Sequence, residues 1–264
     1  MAKTLGFGTS RALLYLWMPV GLLALWWFAP SPQSLYFPPL WVILDAFRRE
    51  WLGDGAAQMS TDLVPSLWHI VAGYAIAVVA GIAIALLLSS VRFLYNASLP
   101  LITFFRGLPS PALIPALLLI FGLGSGFKVA IIGFGSMWPV LLNAYDGFQS
   151  INAVQQETAR SYHLGPLRQI FLLKLPAASP QIMAGARVAL QVSILLMVAS
   201  EFLAATQGIG YAISVAQVNF DTPGLWSGML LLGVVGIILN ALFLLAESGI
   251  LYWHTGMTAR QARG

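Results

Sequence analysis

The sequence of 264 residues contains no cysteine, and only 8% of its residues are charged. The absence of cysteine excludes disulfide bonds, thiolate metal sites and cysteine catalysis. The shortage of charge excludes an ordinary soluble domain, in which about 25% of the residues are charged. A bilayer, unlike water, solvates an apolar exterior. The hydrophobic content of 59% and the mean hydropathy of +0.83 therefore indicate an integral membrane protein.

Several catalytic and binding motifs are also missing. The glycine-rich run Gly122-Leu-Gly-Ser-Gly-Phe-Lys128 lacks the Gly-Lys-Ser/Thr of a P-loop, so ATP hydrolysis would need another polypeptide. Neither Gly-x-Ser-x-Gly nor His-Glu-x-x-His occurs, and no carboxylate pair lies on an apolar face, which argues against an intramembrane enzyme. His69, His163 and His254 are far apart, so we expect no metal site. The net charge of +4 includes no basic run, so we expect no nucleic-acid partner.

Six apolar stretches fill the chain, and each is long enough for a bilayer crossing of about 20 residues. They cover residues 12–29, 65–90, 99–122, 127–147, 179–204 and 224–247. The first follows Lys3 and Arg11 as in a signal peptide, but it is longer than an apolar signal region and lacks a clear cleavage site. We therefore predict an all-α polytopic membrane protein, with one transmembrane domain over residues 1–264 and about six helices.

The spacing of small and apolar residues predicts how two of these segments pack. In the second span Gly73, Ala77, Gly81 and Ala85 recur at every fourth position, which lets another helix approach closely. Before that span, the segment 40–52 follows two prolines and is predicted to be a short amphipathic helix. It lies either at the membrane–water boundary or against other spans. Its apolar face consists of Leu40, Ile43, Leu44, Phe47 and Trp51.

Charged residues in or near the spans are candidates for a translocation pathway, because a charge at mid-bilayer costs at least ~2.5–3.5 kcal/mol. Arg106 opens a run with Pro109 and Pro111 that predicts a broken helix, and it either lines the inner mouth of a pathway or fixes the kink. Glu201, near the outer end of the fifth span, either anchors a periplasmic gate or binds nearby backbone at the interface. Arg187 is expected to extend toward the cytoplasmic surface.

The distribution of Lys and Arg residues near the spans predicts the orientation. With the N-terminus in the cytoplasm, eight basic residues lie inside and three lie outside, so both termini and the loop 148–178 are predicted to be cytoplasmic. The eight are Lys3, Arg11, Arg92, Arg160, Arg168, Lys174, Arg260 and Arg263, and the three are Arg48, Arg49 and Lys128.

The loop 148–178 is the longest predicted cytoplasmic segment and carries its own helical pattern. Leu164, Leu167, Phe171 and Leu175 recur at steps of three and four residues, which gives one apolar face on a short helix. An earlier helical turn precedes it, and the break is predicted at Gly165-Pro166, since glycine ends helices and proline starts them. Pro176 and Pro180 are expected to stop the second piece before the fifth span. A helix–turn–helix on this face is a docking element or, alternatively, a loop packed on the bundle.

The run from Glu157 to Pro176 resembles the EAA loop of binding-protein-dependent ABC importer permeases. Glu157, Ala159, Leu175 and Pro176 match that loop without a gap. His163 stands where the family has glycine, and Gly165 follows two residues later, which indicates a shifted turn. The resemblance assigns the following residues to ATPase coupling: Glu157, Ala159, Arg160, His163, Gly165, Leu175 and Pro176.

Further segments are similar to the nitrate/sulfonate/taurine-type subgroup of these permeases, so that the resemblance covers roughly residues 15–250. These segments are Phe37-Pro-Pro-Leu, Arg106-Gly-Leu-Pro-Ser-Pro-Ala-Leu-Ile-Pro115, Phe121-Gly-Leu-Gly124 and Glu201-Phe-Leu-Ala-Ala-Thr-Gln-Gly-Ile-Gly-Tyr211.

The resemblance implies a permease subunit of the bacterial inner membrane. It would act with a second copy of itself, a cytoplasmic ABC ATPase dimer that carries ATP and Mg²⁺, and a substrate-binding protein. The solute would be small, polar and anionic, such as a sulfonate, taurine or nitrate, and the chain itself would bind no cofactor. The alternative is a secondary transporter that acts without an ATPase, against which the spans show no internal repeat and few ionisable groups.

Overall fold

The computed structural model describes residues 6–28, 30, 31, 34, 36–53 and 58–252, and gives side chains from Trp17 onward except at Arg92. The described elements are all helical, which confirms the predicted all-α class. Lys3, His254, Arg260 and Arg263 lie outside the described residues.

The helices are α1 (Gly6–Phe28), α2 (Leu40–Phe47, continued by a π turn Arg48–Leu52), α3 (Met59–Ser90), α4 (Arg92–Gly107), α5 (Ile114–Phe121, after a 3₁₀ turn Ser110–Leu113), α6 (Ser125–Gln149), α7 (Ala153–Ser161), α8 (Pro166–Ala204), α9 (Ile209–Val218) and α10 (Thr222–Ile250).

Four of these helices, α3, α6, α8 and α10, are long and apolar enough to cross a membrane. A fifth crossing is obtained if α4 and the segment Ser110–Phe121, which meet at a bend of 89°, count as one broken span. The bend lies where the prolines predicted it. Helix α1 covers most of the predicted first span and is 23 residues long. The described chain is therefore a polytopic membrane protein, and the count of six spans stays a prediction.

The core is a three-helix layer in which α6 lies between α3 and α8. The small residues predicted on α3 are all buried, and they face α6. A Cβ atom at Gly73 would lie 2.5 Å from Ile132, and one at Gly81 would lie 2.8 Å from Val140. On the other side of α6, a Cβ atom at Gly185 of α8 would lie 2.7 Å from the carbonyl oxygen of Pro139. The predicted close approach is confirmed.

Helix α2 packs on the bundle, so the second of the two predictions for this segment is correct. Ile43 and Trp51 are each 1% exposed, and the Trp51 indole donates a hydrogen bond of 3.3 Å to the Ser227 hydroxyl of α10. Leu44 does not share this buried face, since 42% of its surface is exposed.

Helices α3, α6 and α10 begin at the same end of the bundle, and α8 runs in the opposite direction, so the bundle has two distinct ends. At one end Glu201 of α8 contacts Ser66 and His69 of α3, and His69 contacts Ser125 of α6. We call this the Glu201 end. At the opposite end α7 connects α6 to α8, and we call this the α7 end.

Helix α8 is continuous from Pro166 to Ala204, so the prediction that Pro176 and Pro180 stop the helix before the fifth span is wrong. Pro176 lacks the N–H that the next α-helical hydrogen bond would need. Just before this proline, the backbone forms a π turn over Ile170–Lys174. Because Pro180 has no N–H, the carbonyl oxygen of Pro176 receives no helical hydrogen bond. The Ser179 hydroxyl donates to this oxygen instead, at 2.8 Å. The two prolines are accommodated inside one helix.

Candidate functional site

Helix α7 is closed at both ends by local hydrogen bonds. At its start the Asn152 side chain accepts from the Val154 N–H at 3.1 Å, and the Gln155 side chain accepts from the Asn152 N–H at 3.3 Å. At its end the N–H of His163 donates to Arg160 O and the N–H of Leu164 donates to Ala159 O. This second pair is a Schellman motif, whose turning residue takes the left-handed conformation.

The turning residue is His163, with φ of +52°. The prediction that the turn shifts to Gly165 is wrong, because Gly165 has φ of −64° and caps the start of α8. The turn therefore stays at the position where the resembling permeases have glycine. Histidine adopts this conformation less readily than glycine does, since it carries a Cβ atom.

The surface of α7 is almost entirely exposed. Of its nine residues only Ala159, which is 5% exposed, is buried. Glu157 and Arg160 both point away from the bundle. An isolated helix of this length is marginal in water. One buried alanine contributes little packing, so α7 presents its side chains outward.

The first turns of α8 continue this exposed surface. Leu167 and Phe171 of the predicted apolar face are 70% and 65% exposed, so the chain itself does not cover them. Leu164 and Leu175, from the same face, are partly buried. The loop therefore does not pack its apolar face on the bundle. We call the exposed residues of α7, together with Tyr162, His163, Gly165, Leu167 and Phe171, the α7 surface.

A cleft of about 890 Å³ begins beside this surface and runs between α3, α8 and α10. Phe171, Leu175 and Pro176 lie at its α7 end, and Leu190 lies deeper. Its walls are apolar for most of their area. Among the polar side chains, the Tyr74 hydroxyl donates to the Ala186 carbonyl at 3.2 Å.

Arg106 and Pro109 lie at the bend between α4 and the segment Ser110–Phe121, and both are exposed. Ser110, immediately after the bend, packs so closely on α6 that a Cβ atom at Gly135 would lie 2.8 Å from its hydroxyl. Since Gly135 is near the middle of α6, the bend lies at mid-depth of the bundle. Arg106 makes no contact with Glu201, so the predicted pathway residues form two separate sites.

Glu201 is the centre of a buried polar network at its end of the bundle. Its carboxylate is 0% exposed and accepts from the Ser66 hydroxyl at 2.7 Å and the Gly210 N–H at 3.1 Å. One oxygen is 3.1 Å from His69 Nδ1, and the other ring nitrogen of His69 is 3.0 Å from the Ser125 hydroxyl. The carboxylate thus connects α3, α8, α9 and, through His69, α6. The predicted bond to nearby backbone is present, and the carboxylate is fully buried among the helices.

The loop between α8 and α9 is held onto α3 by the same network. The Gly208 N–H donates to the Asp62 carboxylate at 2.7 Å, and the Ile209 N–H donates to the Ser66 hydroxyl at 3.0 Å. Gly208 has φ of +120°, and a Cβ atom there would collide with the Glu201 carboxylate. Glycine is needed at this position for both reasons.

The sequence prediction missed Asp62, Ser66 and His69. A signal was available, because residues spaced by four and three positions lie on one face of a helix. Three polar side chains at 62, 66 and 69 mark the start of an otherwise apolar span. Lys128 of α6 is also buried, at 4% exposure, and interacts electrostatically with Glu201.

A second carboxylate, Glu50, lies outside the spans at the same end. It accepts a short hydrogen bond from the Ser227 hydroxyl of α10. Burial raises the pKa of Glu50, and the Asp221 carboxylate adds to the rise, whereas the Ser227 bond and Arg49 oppose it. Glu50 therefore adds a partly buried carboxylate to the hydrogen-bonded groups at the Glu201 end.

Comparison with known proteins identifies the family of the chain. Residues 77–249, about two thirds of the chain, match the family described as "Binding-protein-dependent transport system inner membrane component". The chain belongs to this family. The match includes α7, all of α8 with Glu201, most of the α10 wall of the cleft, and the α3 wall from Val78 onward.

Individual relatives are similar to this chain over most of its length. It is 27% identical to the taurine transport system permease protein TauC of Escherichia coli (strain K12), over 95% of this chain and 90% of the relative. It is 29% identical to the nitrate import permease protein NrtB of Leptolyngbya laminosa, over 84% and 81%. It is 31% identical to the formylaminopyrimidine transport permease protein ThiX of Halalkalibacterium halodurans, over 74% and 78%.

Family membership establishes the general role. The chain is a multi-pass inner-membrane permease subunit of an ABC importer of the nitrate/sulfonate/taurine type, and it is not itself an enzyme. ATP hydrolysis belongs to a separate ATPase subunit. These relatives are components of binding-protein-dependent systems, which decides against the secondary transporter that acts alone.

Proposed function

We propose that this permease forms the translocation pathway of an importer for a small polar solute with an anionic group, such as a sulfonate, taurine or nitrate. A second copy of the chain completes the pathway. A cytoplasmic ABC ATPase dimer, which carries ATP and Mg²⁺, docks at the α7 end, and a substrate-binding protein docks at the Glu201 end. The permease binds no cofactor of its own.

The observation that carries this proposal is the α7 surface. A short helix with one buried residue, followed by exposed Leu167 and Phe171, is a surface that a second protein has to cover. Glu157, Arg160 and His163 lie on it, together with Gly165, and Ala159 anchors it to the bundle. Leu175 and Pro176 join it to the wall of the cleft. Closure of the ATPase on ATP moves this surface and, through the rigid α8, the cleft.

The charges of the two ends support the orientation with both termini in the cytoplasm. Among the described helices, Arg92, Arg160, Arg168 and Lys174 lie at the α7 end, and Arg48, Arg49 and Lys128 lie at the Glu201 end. Basic residues accumulate on the cytoplasmic side of membrane proteins. This excess of basic residues favours assignment of the α7 end to the cytoplasm.

The anionic solute class rests on the relatives and on the cations of the pathway. Two of the three relatives described are permeases for taurine and nitrate. Arg106 and Pro109 are exposed at a helix break at mid-depth, the kind of position where transporters bind their substrates. Glu201 anchors the gate at the far end of the pathway by holding α9 on α3.

The docking surface is tested by copurification of the candidate ATPase with Leu167→Asp and Phe171→Asp variants in detergent. We expect at least a ~10-fold loss of bound ATPase, because a buried unpaired carboxylate opposes association. Val218→Asp is the matched control, since Val218 is 75% exposed but lies on α9 at the Glu201 end. If Leu167→Asp and Phe171→Asp bind the ATPase as wild type does, the α7 surface is not the docking site.

A further inference from the structure

Arg187 is a charged residue deep inside a membrane-spanning helix. In the segment Leu175–Ala204 it lies 12 residues from one end and 17 from the other, about 18 Å and 26 Å at the helical rise. Its neighbour Ala186 lines the cleft, and its guanidinium lies 5.9 Å from the ring centroid of Phe243, which also lines the cleft. The charge therefore lies beside the cleft and between the two ends of the segment, and Arg187 itself is not one of the residues that line the cleft wall.

The guanidinium has one carboxylate partner. Arg187 binds Glu247 of α10 through one terminal nitrogen. The residue as a whole keeps 43% of its side-chain surface exposed, while the Nε atom is buried and has no hydrogen-bond acceptor among the described residues. A guanidinium has five N–H donors in a planar fork. The ion pair with Glu247 therefore leaves N–H donors of Arg187, and part of its exposed surface, available to another ligand.

The wall of the cleft contains few other groups that could bind an anion. Its residues are almost all apolar, and the hydroxyls of Tyr74 and Ser179 already donate to backbone carbonyls. A solute anion that enters such a cleft needs a counter-charge, because burial of an unpaired anion is costly. Arg187 is positioned to supply it.

We infer that Arg187 is the anion-contact residue of the inner half of the pathway, with Glu247 as the counter-ion that competes with the solute anion. This inference rests on the proposed function, because it requires an anionic solute. Carboxylate, sulfonate and nitrate all present two oxygens to a guanidinium in the same geometry. The donors that Glu247 leaves free bind the solute anion first, and the Glu247 carboxylate then competes with the solute for Arg187 and favours release of the solute.

The test uses the permease reconstituted in proteoliposomes with its ATPase and binding protein. Labelled taurine and nitrate are the probes, and the readout is anion imported per ATP hydrolysed. We expect Arg187→Gln to lower this ratio at least ~10-fold, because ATP hydrolysis continues without the anion contact, and Arg187→Lys to retain more of it. Arg49→Gln is the matched control, since Arg49 pairs with Asp45 at 3.2 Å on the exposed surface of α2.

The charge-swap variant Arg187→Glu/Glu247→Arg separates anion contact from a structural ion pair. It restores the pair between α8 and α10, so a purely structural role predicts recovered import, whereas an anion contact predicts import as low as in Arg187→Gln. Recovered import in the charge-swap variant overturns the inference about Arg187 and leaves the proposed function in place. The same holds if Arg187→Gln imports as much anion per ATP as the wild type. If the wild type imports neither anion, the anionic solute class is wrong and the inference falls with it.

Discussion

Gly208 illustrates how one residue sets the geometry of the Glu201 network. Its φ of +120° is a conformation that residues with a side chain rarely adopt, and its missing Cβ atom leaves room for the Glu201 carboxylate. Its N–H also donates to Asp62. One glycine therefore allows two carboxylates from different helices to bind the same loop.

We expect Gly208→Ala to destabilise the permease by at least ~2 kcal/mol, since a strained backbone costs about 1–3 kcal/mol and the new methyl group displaces Glu201. Thermal unfolding in detergent measures the effect, and about 2–4 °C per kcal/mol is expected for a chain of this size. Gly233→Ala in α10 is the control, because nothing lies within 4 Å of a Cβ atom there. Equal unfolding temperatures for the two variants would contradict this account of the network.

His163 shows the limit of reading a turn from residue types. A glycine two positions later suggested that the turn had shifted, yet His163 takes the left-handed conformation itself. The hydrogen bonds from the N–H groups of His163 and Leu164 close α7 at this point. The hydrogen bonds that end α7 hold His163 at positive φ, although glycine adopts this conformation more readily. The types of the residues along the sequence do not show which of these two effects is larger.

At the scale of elements, the contact between α3 and α6 depends on missing side chains. A Cβ atom at Gly73 would lie 2.5 Å from Ile132 and 3.2 Å from the carbonyl oxygen of Val129. Helices in a bilayer gain little from apolar burial and associate largely through close packing. The small-residue stripe therefore fixes which face of α3 meets α6.

Gly73→Leu is expected to separate α3 from α6 and to reduce the monodisperse fraction of the purified permease several-fold, since overpacking costs about 1–3 kcal/mol even in adaptable cores. Size-exclusion chromatography in detergent measures this fraction. Gly236→Leu serves as the control, because Gly236 of α10 has nothing within 4 Å of a Cβ atom. A Gly73→Leu protein that elutes like the control would refute the packing role of the stripe.

Helix α8 shows why an element boundary escaped prediction. Proline usually interrupts a helix, so Pro176 and Pro180 suggested a stop. The structure instead places a π turn before Pro176 and a serine hydroxyl on the carbonyl freed by Pro180. As a result α8 joins the α7 surface to Glu201 as one continuous helix, which a stop at Pro176 would have prevented.

At the scale of the whole molecule, the two ends differ in charge and in the partners that they are proposed to bind. The chain contains no cysteine, so single cysteines can report the sidedness of each end. Tyr162 at the α7 end is 77% exposed, and Asn219 after α9 is also exposed. Both positions are suitable for a membrane-impermeant label.

In spheroplasts that lack the ATPase, we expect a membrane-impermeant maleimide to label Asn219→Cys and to leave Tyr162→Cys unlabelled until the cells are lysed. The reason is that basic residues at the α7 end retain it in the cytoplasm. The cysteine-free wild type is the background control. Labelling of Tyr162→Cys in intact spheroplasts would reverse the proposed orientation.

The sequence by itself determined the membrane class, the place of the helix break, the small-residue face of α3 and the position of the α7 surface. Each follows from local composition or spacing, because a bilayer demands apolar helices and helical periodicity assigns faces. Only the tertiary structure decided that α2 packs inward, that α8 is unbroken, and that Glu201 meets Ser66, His69 and Gly210. Those contacts join residues far apart in the chain, and their geometry depends on how whole helices pack.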